Sequence, residues 1–282
     1  MAKDLLTVHA KSFHWASIFL SKDIYNKCSA LYSFCRTLDD IADDSNELEI
    51  KKKKFLRFKE NFSNKNLENP IIKNMLDVLD SEKISKTIVY DLFDGVESDL
   101  SHEVKINSKK DLLVYSYRVA GTVGLMMSKI LGVYDKESLR GAMDLGIAMQ
   151  LTNIARDVIE DKKRNRKYID CNFFTIKETI STAETFYQKS FCAIKAIPLR
   201  SRFSVLVARR VYKKIGNYIL KQKNIENYNK AGKIYVPITG KIIETILSIS
   251  DFLKLLFTKN LNISNEDNHS IIKKEINLDE RI

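Results

Sequence analysis

The 282-residue sequence predicts an all-α fold, and three observations carry that prediction. Proline and glycine number only 3 and 9, about 4% of the chain where an average protein carries roughly 12%. Turns, bulges and hairpins draw mainly on those two residues, so a many-stranded sandwich or barrel is excluded. Apolar residues recur at spacings of three and four, the period of a helix with one buried face. The hydrophobic fraction of 44% is too high for a disordered chain and, at this length, sufficient for a large core.

The helical faces can be read in order. Leu31, Phe34, Cys35 and Leu38 form the first, which runs on into Ile41 and Ala42. Leu139, Ala142, Met143, Leu145, Gly146 and Met149 form a second, Val205, Val207, Val211 and Ile215 a third, and Ile242, Ile246, Ile249, Leu253 and Leu256 a last. Polar breaks fall at residues 61–70, 101–110, 164–172 and 224–233. None is long or Gly/Ser-rich enough for an interdomain linker. A single helical domain is therefore expected over residues 1–260, followed by a polar tail, 261–282, that is expected to fray.

Composition narrows the class further. Cys28, Cys35, Cys171 and Cys192 form no C-x-x-C pair, which predicts buried thiols in a reducing compartment rather than a disulfide framework. The first residues lack the apolar core of a signal peptide. The longest apolar run, 242–257, is interrupted by Glu244, Asp251 and Lys254, so no bilayer span is expected. These features predict a cytoplasmic protein. Residues 195–259 hold 14 Lys+Arg against 3 Asp+Glu, which accounts for the whole net charge of +11. Such a stretch suits a solvated helix face, an anionic ligand or anionic lipid. Nucleic acid is not the expected partner, because no helix-turn-helix, zinc-finger or RNP-type signature accompanies the charge.

Two acidic clusters carry the chemistry. In the first, Asp39 and Asp43 stand one helical turn apart, with Asp40 and Asp44 beside them, Arg36 three residues before Asp39 and Tyr32 four before Arg36. Four aspartates in six residues repel one another and are poor helix formers, so a cation must compensate. Hard divalent ions such as Mg²⁺ take carboxylate oxygens and commonly share them with substrate phosphates. In the second cluster Gln150, Asn153, Asp157 and Asp161 advance by three, four and four, a stripe roughly 80° wide. Upstream the stripe continues through Ala142, Leu145 and Met149, so one helix would present a greasy wall that becomes carboxamide and then carboxylate. That suits a ligand with an apolar chain and a diphosphate head. A lone D-x-x-x-D is commonly just an exposed acidic face; two, each with an arginine, point to a shared site between helices. A di-iron centre is disfavoured, since it calls for a pair of Glu-x-x-His motifs and only one, Glu266 to His269, occurs in the sequence. Between the clusters, Gly121 and Gly124 interrupt a helical pattern at about 1 kcal/mol each relative to alanine. Close helix packing and close approach of a ligand both account for them.

Taken together, the stretch from His9 to Phe13, the run from Leu31 to Asp44, the segment from Tyr115 to Gly124 and the run from Asp144 to Asp161, followed by Arg166 and Tyr168, strongly resemble the squalene/phytoene synthase family of head-to-head prenyl transferases. The wording around Gly121 to Met127 and Thr152 to Arg156 is most similar to bacterial phytoene synthases. The resemblance implies a helical bundle of the isoprenoid synthase type around a central apolar tunnel. It implies that Asp39, Asp43, Asp157 and Asp161, with Asp40 and Asn153, hold Mg²⁺ (or Mn²⁺). Arg36, Arg156, Arg166, Lys11 and His9 would meet diphosphate oxygens, with Gln150 and Asn153 lining the site. Tyr115 and Tyr168 would hydrogen-bond near the leaving group. Ser12, Phe13 and Tyr32 would also touch substrate, and Val119, Val123, Gly124, Ala142, Leu145 and Met149 would wall the tunnel. One departure is Asp170, where the family usually has proline after the Arg-Lys-Tyr-Ile run.

The implied activity is condensation of two geranylgeranyl diphosphates, through a cyclopropyl diphosphate, to phytoene, the committed step of carotenoid biosynthesis, without NADPH. Squalene, dehydrosqualene or presqualene diphosphate synthesis from farnesyl diphosphate is the alternative within the same chemistry. A helical scaffold or assembly factor is the non-catalytic alternative, opposed by intact aspartates and an intact Arg36. An insoluble product must leave into a membrane, so a peripheral position against an anionic inner membrane face is expected, held by the basic stretch.

Overall fold

The computed structural model describes residues 15–258 and 265–282. Helix α1 (Lys22–Asp43) buries Cys28, Leu31, Phe34, Leu38 and Ala42, a stripe advancing by three and four. It packs against α2 (Leu48–Ser63), α3 (Pro70–Ser81) and α4 (Lys86–Ser98). At the centre of that layer Phe34 meets Phe58, Phe62 and Phe93 with ring centroids 5.4, 5.5 and 5.8 Å apart, tilted or edge-on contacts that add about 0.5–1.5 kcal/mol each beyond area burial. Asn69 caps α3 by accepting from the backbone N–H of Ile71 and Ile72, with Pro70 at the first helical position, where its missing N–H costs nothing.

The next stretch is α5 (Lys109–Ser116), a single π-helical turn (Tyr117–Gly121) and α6 (Thr122–Ile130). Then comes α7 (Lys136–Lys163), capped by Asp135, whose carboxylate accepts from Ser138 N–H. Its 28 residues reach roughly 42 Å at 1.5 Å each. It is the axle of the fold and packs along α6, the π turn, α8 (Phe173–Ser190) and α9 (Leu199–Leu220). Gly124 and Gly146 allow this approach. A Cβ on Gly124 would sit 2.3 Å from Ala142 O, and one on Gly146 2.2 Å from Ala120 O. Their missing side chains therefore face a neighbouring helix backbone, and a Cβ on Gly121 would meet the side chains of Tyr117 at 3.0 Å and Met143 at 3.2 Å, so for Gly121 and Gly124 the structure supports the helix-packing reading.

A two-residue parallel pairing, β1 (Val104–Lys105) with β2 (Arg166–Lys167), is the only strand structure among the described residues. It pins the chain after α7 across the end of that helix. The break expected at 224–233 contains a short helix, α10 (Ile225–Ala231), capped by Asn224, and α11 (Ile238–Phe257) follows. No helix among the described residues is long and apolar enough to cross a membrane.

Two expectations are corrected here. The described part of the tail, residues 265–282, is folded rather than frayed: α12 (Glu266–Lys273) docks with buried His269 and Ile272, followed by buried Ile276 and Leu278. His269 Nε2 lies 2.7 Å from Asp144 Oδ1 on α7, and Arg281 donates to both carboxylate oxygens of Asp91 at 3.0 and 3.2 Å. A few apolar residues spaced three or four apart within a charged segment suffice to hold it. The thiols are all free, but only Cys28 is buried; Cys35 and Cys192 are half-buried and Cys171 is exposed.

Candidate active site

A cavity of about 1280 Å³ runs between α1, α4, the π turn, α6, α7 and α9, larger than the roughly 300–1,000 Å³ of ordinary ligand pockets. Its composition follows the helices that line it. Along α1 the lining residues are Cys28, Tyr32, Cys35, Arg36, Asp39 and Asp43; along α7 they pass from Ala142, Leu145 and Met149 to Gln150, Asn153, Asp157 and Asp161. Both helices therefore change from apolar to acidic toward their C-termini. Val119, Ala120, Val123 and Gly124 from the π turn and α6 extend the apolar part, with Val205 and Ala208 from α9 opposite.

The acidic end runs against helix electrostatics. Carboxylates near a helix C-terminus meet the negative end of the macrodipole, yet Asp39, Asp43 and Asp161 all stand in the last turns of their helices. Protein cations answer part of this charge. Arg166 donates to Asp43 at 2.7 Å and Arg164 to the same carboxylate at 2.8 Å. Arg156 makes two contacts with the neighbouring Asp157, at 2.8 and 2.6 Å, and Lys233 stands 3.4 Å from it. Asp39 and Asp161 have no such direct partner among these cations. Burial, followed by the charge of Asp43, pushes Asp39 up to about 7, with Arg36 opposing. Burial and then Asp157 push Asp161 up to about 7 as well, against Arg166 and Arg164. Asp39 is exposed to the open cavity.

A third carboxylate completes this end. Asp99, just after α4, accepts from Tyr168 Oη at 2.6 Å and from Tyr115 Oη at 2.9 Å; the two hydroxyl oxygens lie 3.1 Å apart and the rings stack at 4.7 Å. Burial raises Asp99, and Arg166 and the two hydroxyls oppose the rise. Burial followed by the Asp99 charge raises both tyrosines.

The donor set fits a hard divalent ion. It consists of oxygens, and two polar atoms in the cavity wall are left without partners: Asn153 Oδ1 and Arg36 Nε. A buried carboxamide oxygen without a donor costs about 1–3 kcal/mol, which a cation would relieve, just as Arg36 Nε awaits an anionic oxygen. No three acidic, histidine or cysteine side chains among the described residues converge closely enough to hold an ion unaided. The carboxylates of α1 and α7 thus face a shared space rather than a preformed cage.

Of the residues singled out in the sequence, Tyr32, Arg36, Asp39, Asp43, Tyr115, Val119, Val123, Gly124, Ala142, Leu145, Met149, Gln150, Asn153, Arg156, Asp157, Asp161, Arg166 and Tyr168 all line this cavity. Asp40 does not. Its carboxylate turns back to Arg36 at 2.5 Å and is half exposed, because residue i+4 lies over the arginine along the helix surface. It leaves the candidate metal set. His9, Lys11, Ser12 and Phe13 lie outside the described residues. Sequence reading missed Asp99, Arg164, Tyr212 and Lys233, which also line the cavity. Arg164 had a signal, the alternation with Arg166 just past the second cluster; Asp99 and Lys233 had none, since each joins the site only through the tertiary fold.

The model of the squalene/phytoene synthase family matches residues 6–169. The 15-cis-phytoene synthase of Enterobacter agglomerans is 30% identical over 250 residues, covering 75% of this chain and 82% of that one. The 15-cis-phytoene synthase of Pantoea ananas is 28% identical over 248 residues, covering 76% and 80%. Among solved structures, a dehydrosqualene synthase in complex with ligand superposes with a TM-score of 0.71 at 28% identity, over 89% of this chain and 94% of that one. A squalene synthase from Alicyclobacillus acidocaldarius shares the fold at TM-score 0.66 and 18% identity, over 77% and 91%. A helical fold around a long apolar cavity with an acidic end, and these relatives, define the chain as a prenyltransferase. It belongs to the squalene/phytoene synthase family.

Proposed function

We propose that this enzyme is a phytoene synthase, joining two geranylgeranyl diphosphates head to head through a cyclopropyl diphosphate. The observation that carries the reading is the similarity to phytoene synthases over three quarters of the chain; a cavity of about 1280 Å³ with one polar end is in keeping with two long chains. Asp39, Asp43, Asp157 and Asp161, with Asn153 Oδ1, would hold Mg²⁺ or Mn²⁺. When bound, the metal supplies positive charge that neutralises diphosphate oxygens and eases departure of the leaving group.

The rest is the work of this chain. Arg36, with its unpartnered Nε, is placed to donate to a diphosphate oxygen, and Arg166 and Lys233 add positive charge that a diphosphate can share with the aspartates. Such fixed donors need no reorganisation as charge moves onto the leaving group. Asp99 fixes the hydroxyls of Tyr115 and Tyr168, so their dipoles are held beside the departing group. The wall of Val119, Val123, Ala142, Leu145 and Met149 keeps water from an allylic cation that water would quench. No redox cofactor enters this route. The hydrocarbon product implies a peripheral position on the inner membrane face.

The second reading, condensation of farnesyl diphosphate, is favoured by the likeness to the dehydrosqualene synthase structure. The test is to incubate the purified chain with each diphosphate and Mg²⁺, with and without NADPH, and to identify the extracted hydrocarbon. Phytoene from geranylgeranyl diphosphate without NADPH is the expected outcome. A C30 hydrocarbon from farnesyl diphosphate, with none from the longer substrate, would replace this reading with the second.

A further inference from the structure

Helix α11 is amphipathic in the wrong direction for a helix facing water. Glu244 is buried at 4% exposure and turns inward, taking Arg210 Nε at 3.0 Å and Lys214 Nζ at 2.9 Å from α9. Asp251, one side of the helix along, takes Arg210 Nη1 at 2.8 Å. The outward side carries Ile238, Ile242, Ile246, Ile249, Leu253 and Phe257, all exposed, with Ile246 at 59% and Phe257 at 84%. At 100° per residue these six fall within a sector about 100° wide, and no charged residue of α11 falls in it. Scattered exposed apolar residues are ordinary, whereas a contiguous charge-free face of this kind marks an interaction surface.

We propose that α11 is a docking helix that lies in the interface of an anionic lipid bilayer, with this face among the acyl chains. Charge favours lipid over a second copy of the chain: Lys254 on α11 is exposed, and the 195–259 stretch is strongly basic, which suits anionic headgroups and opposes pairing of like surfaces. Position favours it too. Ile238 and Lys241 at the start of α11 also line the large cavity, as do Trp15 and Leu20. Trp15 Nε1 donates to Thr245 Oγ1 of α11 at 2.9 Å, so the segment at 15–20 is tied to this helix. Exposed Ile18 and Phe19 extend the apolar surface, with Phe19 edge-on to Phe203 at 5.0 Å and Phe203 meeting Phe252 of α11 at 6.4 Å. The cavity thus reaches an apolar surface without an intervening charged rim on α11 other than Lys241. The direction of traffic, hydrocarbon leaving by this side, rests on the proposed function; the docking itself does not.

The test uses the full chain, without substrate, and vesicles of phosphatidylglycerol with phosphatidylcholine or of phosphatidylcholine alone. Wild-type protein should sediment with the mixed vesicles, bind less as salt rises, and shift the emission of Trp15, the single tryptophan. The Ile246→Glu/Leu253→Glu variant should bind at least tenfold more weakly, with unchanged helicity by circular dichroism and unchanged turnover of detergent-dispersed substrate. If that variant misfolds, Ile246→Ser/Leu253→Ser supplies the same comparison. Wild-type protein left in the supernatant with both vesicle types overturns the proposal. So does a wild-type dimer that the double variant converts to monomer, since the face would then be covered by a second copy. Vesicle binding without hydrocarbon from any prenyl diphosphate upholds the docking helix and removes the proposed function; hydrocarbon formation without vesicle binding does the reverse.

Discussion

The acidic ends of α1 and α7 hold similar residues, yet they are balanced from different places. On α7, Asp157 is neutralised by its sequence neighbour Arg156. On α1, Asp43 depends on Arg164 and Arg166, more than 120 residues away in sequence; Arg166 is held by the strand pairing at 104–105 and 166–167, and Arg164 caps the end of α7. Each end keeps one further aspartate, Asp39 or Asp161, raised and without a direct cation. The difference teaches that the nearest counter-charge of Asp157 is set locally on α7, with Lys233 added by the fold, whereas both cations on Asp43 arrive only once the chain after α7 has docked.

The largest effect should come from removing the unneutralised pair. Asp39→Ala or Asp161→Ala should lower turnover by roughly 10³-fold, the scale on which active-site charge acts, while circular dichroism stays native. Wild-type turnover in either variant would remove that residue from the metal set. Arg166→Ala should come next, with a loss of roughly 10²-fold. Because it removes one of the two arginines on Asp43 and the hydrogen bond to the Ala42 carbonyl, its Tm should fall, whereas Arg156→Ala should leave the α1 end intact. Equal Tm losses in the two variants would erase the contrast between the ends.

The pH dependence is smaller and has a definite sign. Asp39 and Asp161 bind their protons more tightly in the folded chain than in the unfolded one, so their contribution is complete below the ordinary aspartate pKa of about 4 and is lost as pH rises toward about 7. Metal-free protein should therefore lose Tm over that interval, Asp161→Asn should lose less, and Mg²⁺ with inorganic diphosphate at pH 8 should restore it. A Tm that is flat from pH 4 to 7, in wild type and variant alike, would contradict the raised pair. The smallest effect should be that of Tyr168→Phe. Asp99 loses one of two hydroxyl donors, a change of about 1–3 kcal/mol at a buried carboxylate, visible as a Tm drop of a few degrees and a turnover loss of roughly tenfold.

Much of this arrangement was legible in the sequence because it is helical. One stripe of α7 carries both the apolar wall and the acidic end, so spacing alone aligned Ala142, Met149, Gln150, Asn153, Asp157 and Asp161. The same holds for Tyr32, Arg36, Asp39 and Asp43 on α1. Asp40 shows where spacing misleads: in a run of aspartates, which one turns inward depends on the partner at i−4. Asp99 and Lys233 were invisible because no local pattern distinguishes them from surface charge, and their partners come from distant elements. The docked end of the chain was hidden for a related reason, since Ile272, Ile276 and Leu278 are diluted among lysines and glutamates. On α11 the apolar period was plain, but period does not say which side faces the protein; that required Glu244 and Asp251 to be seen pairing with α9.

The π turn at Tyr117–Gly121 has a consequence for how this cavity is kept in phase. A π turn holds one residue more than the α turn it replaces. Winding the same residues as a plain α-helix would rotate every side chain from Thr122 onward by about 100°. Val123 would swing off the cavity wall, and Gly124 would no longer lie opposite the Ala142 carbonyl. The wide turn thus absorbs one extra residue and keeps the wall in phase, so a deletion of Ala120 should straighten the turn while leaving Val123 on the cavity wall and Gly124 opposite the Ala142 carbonyl.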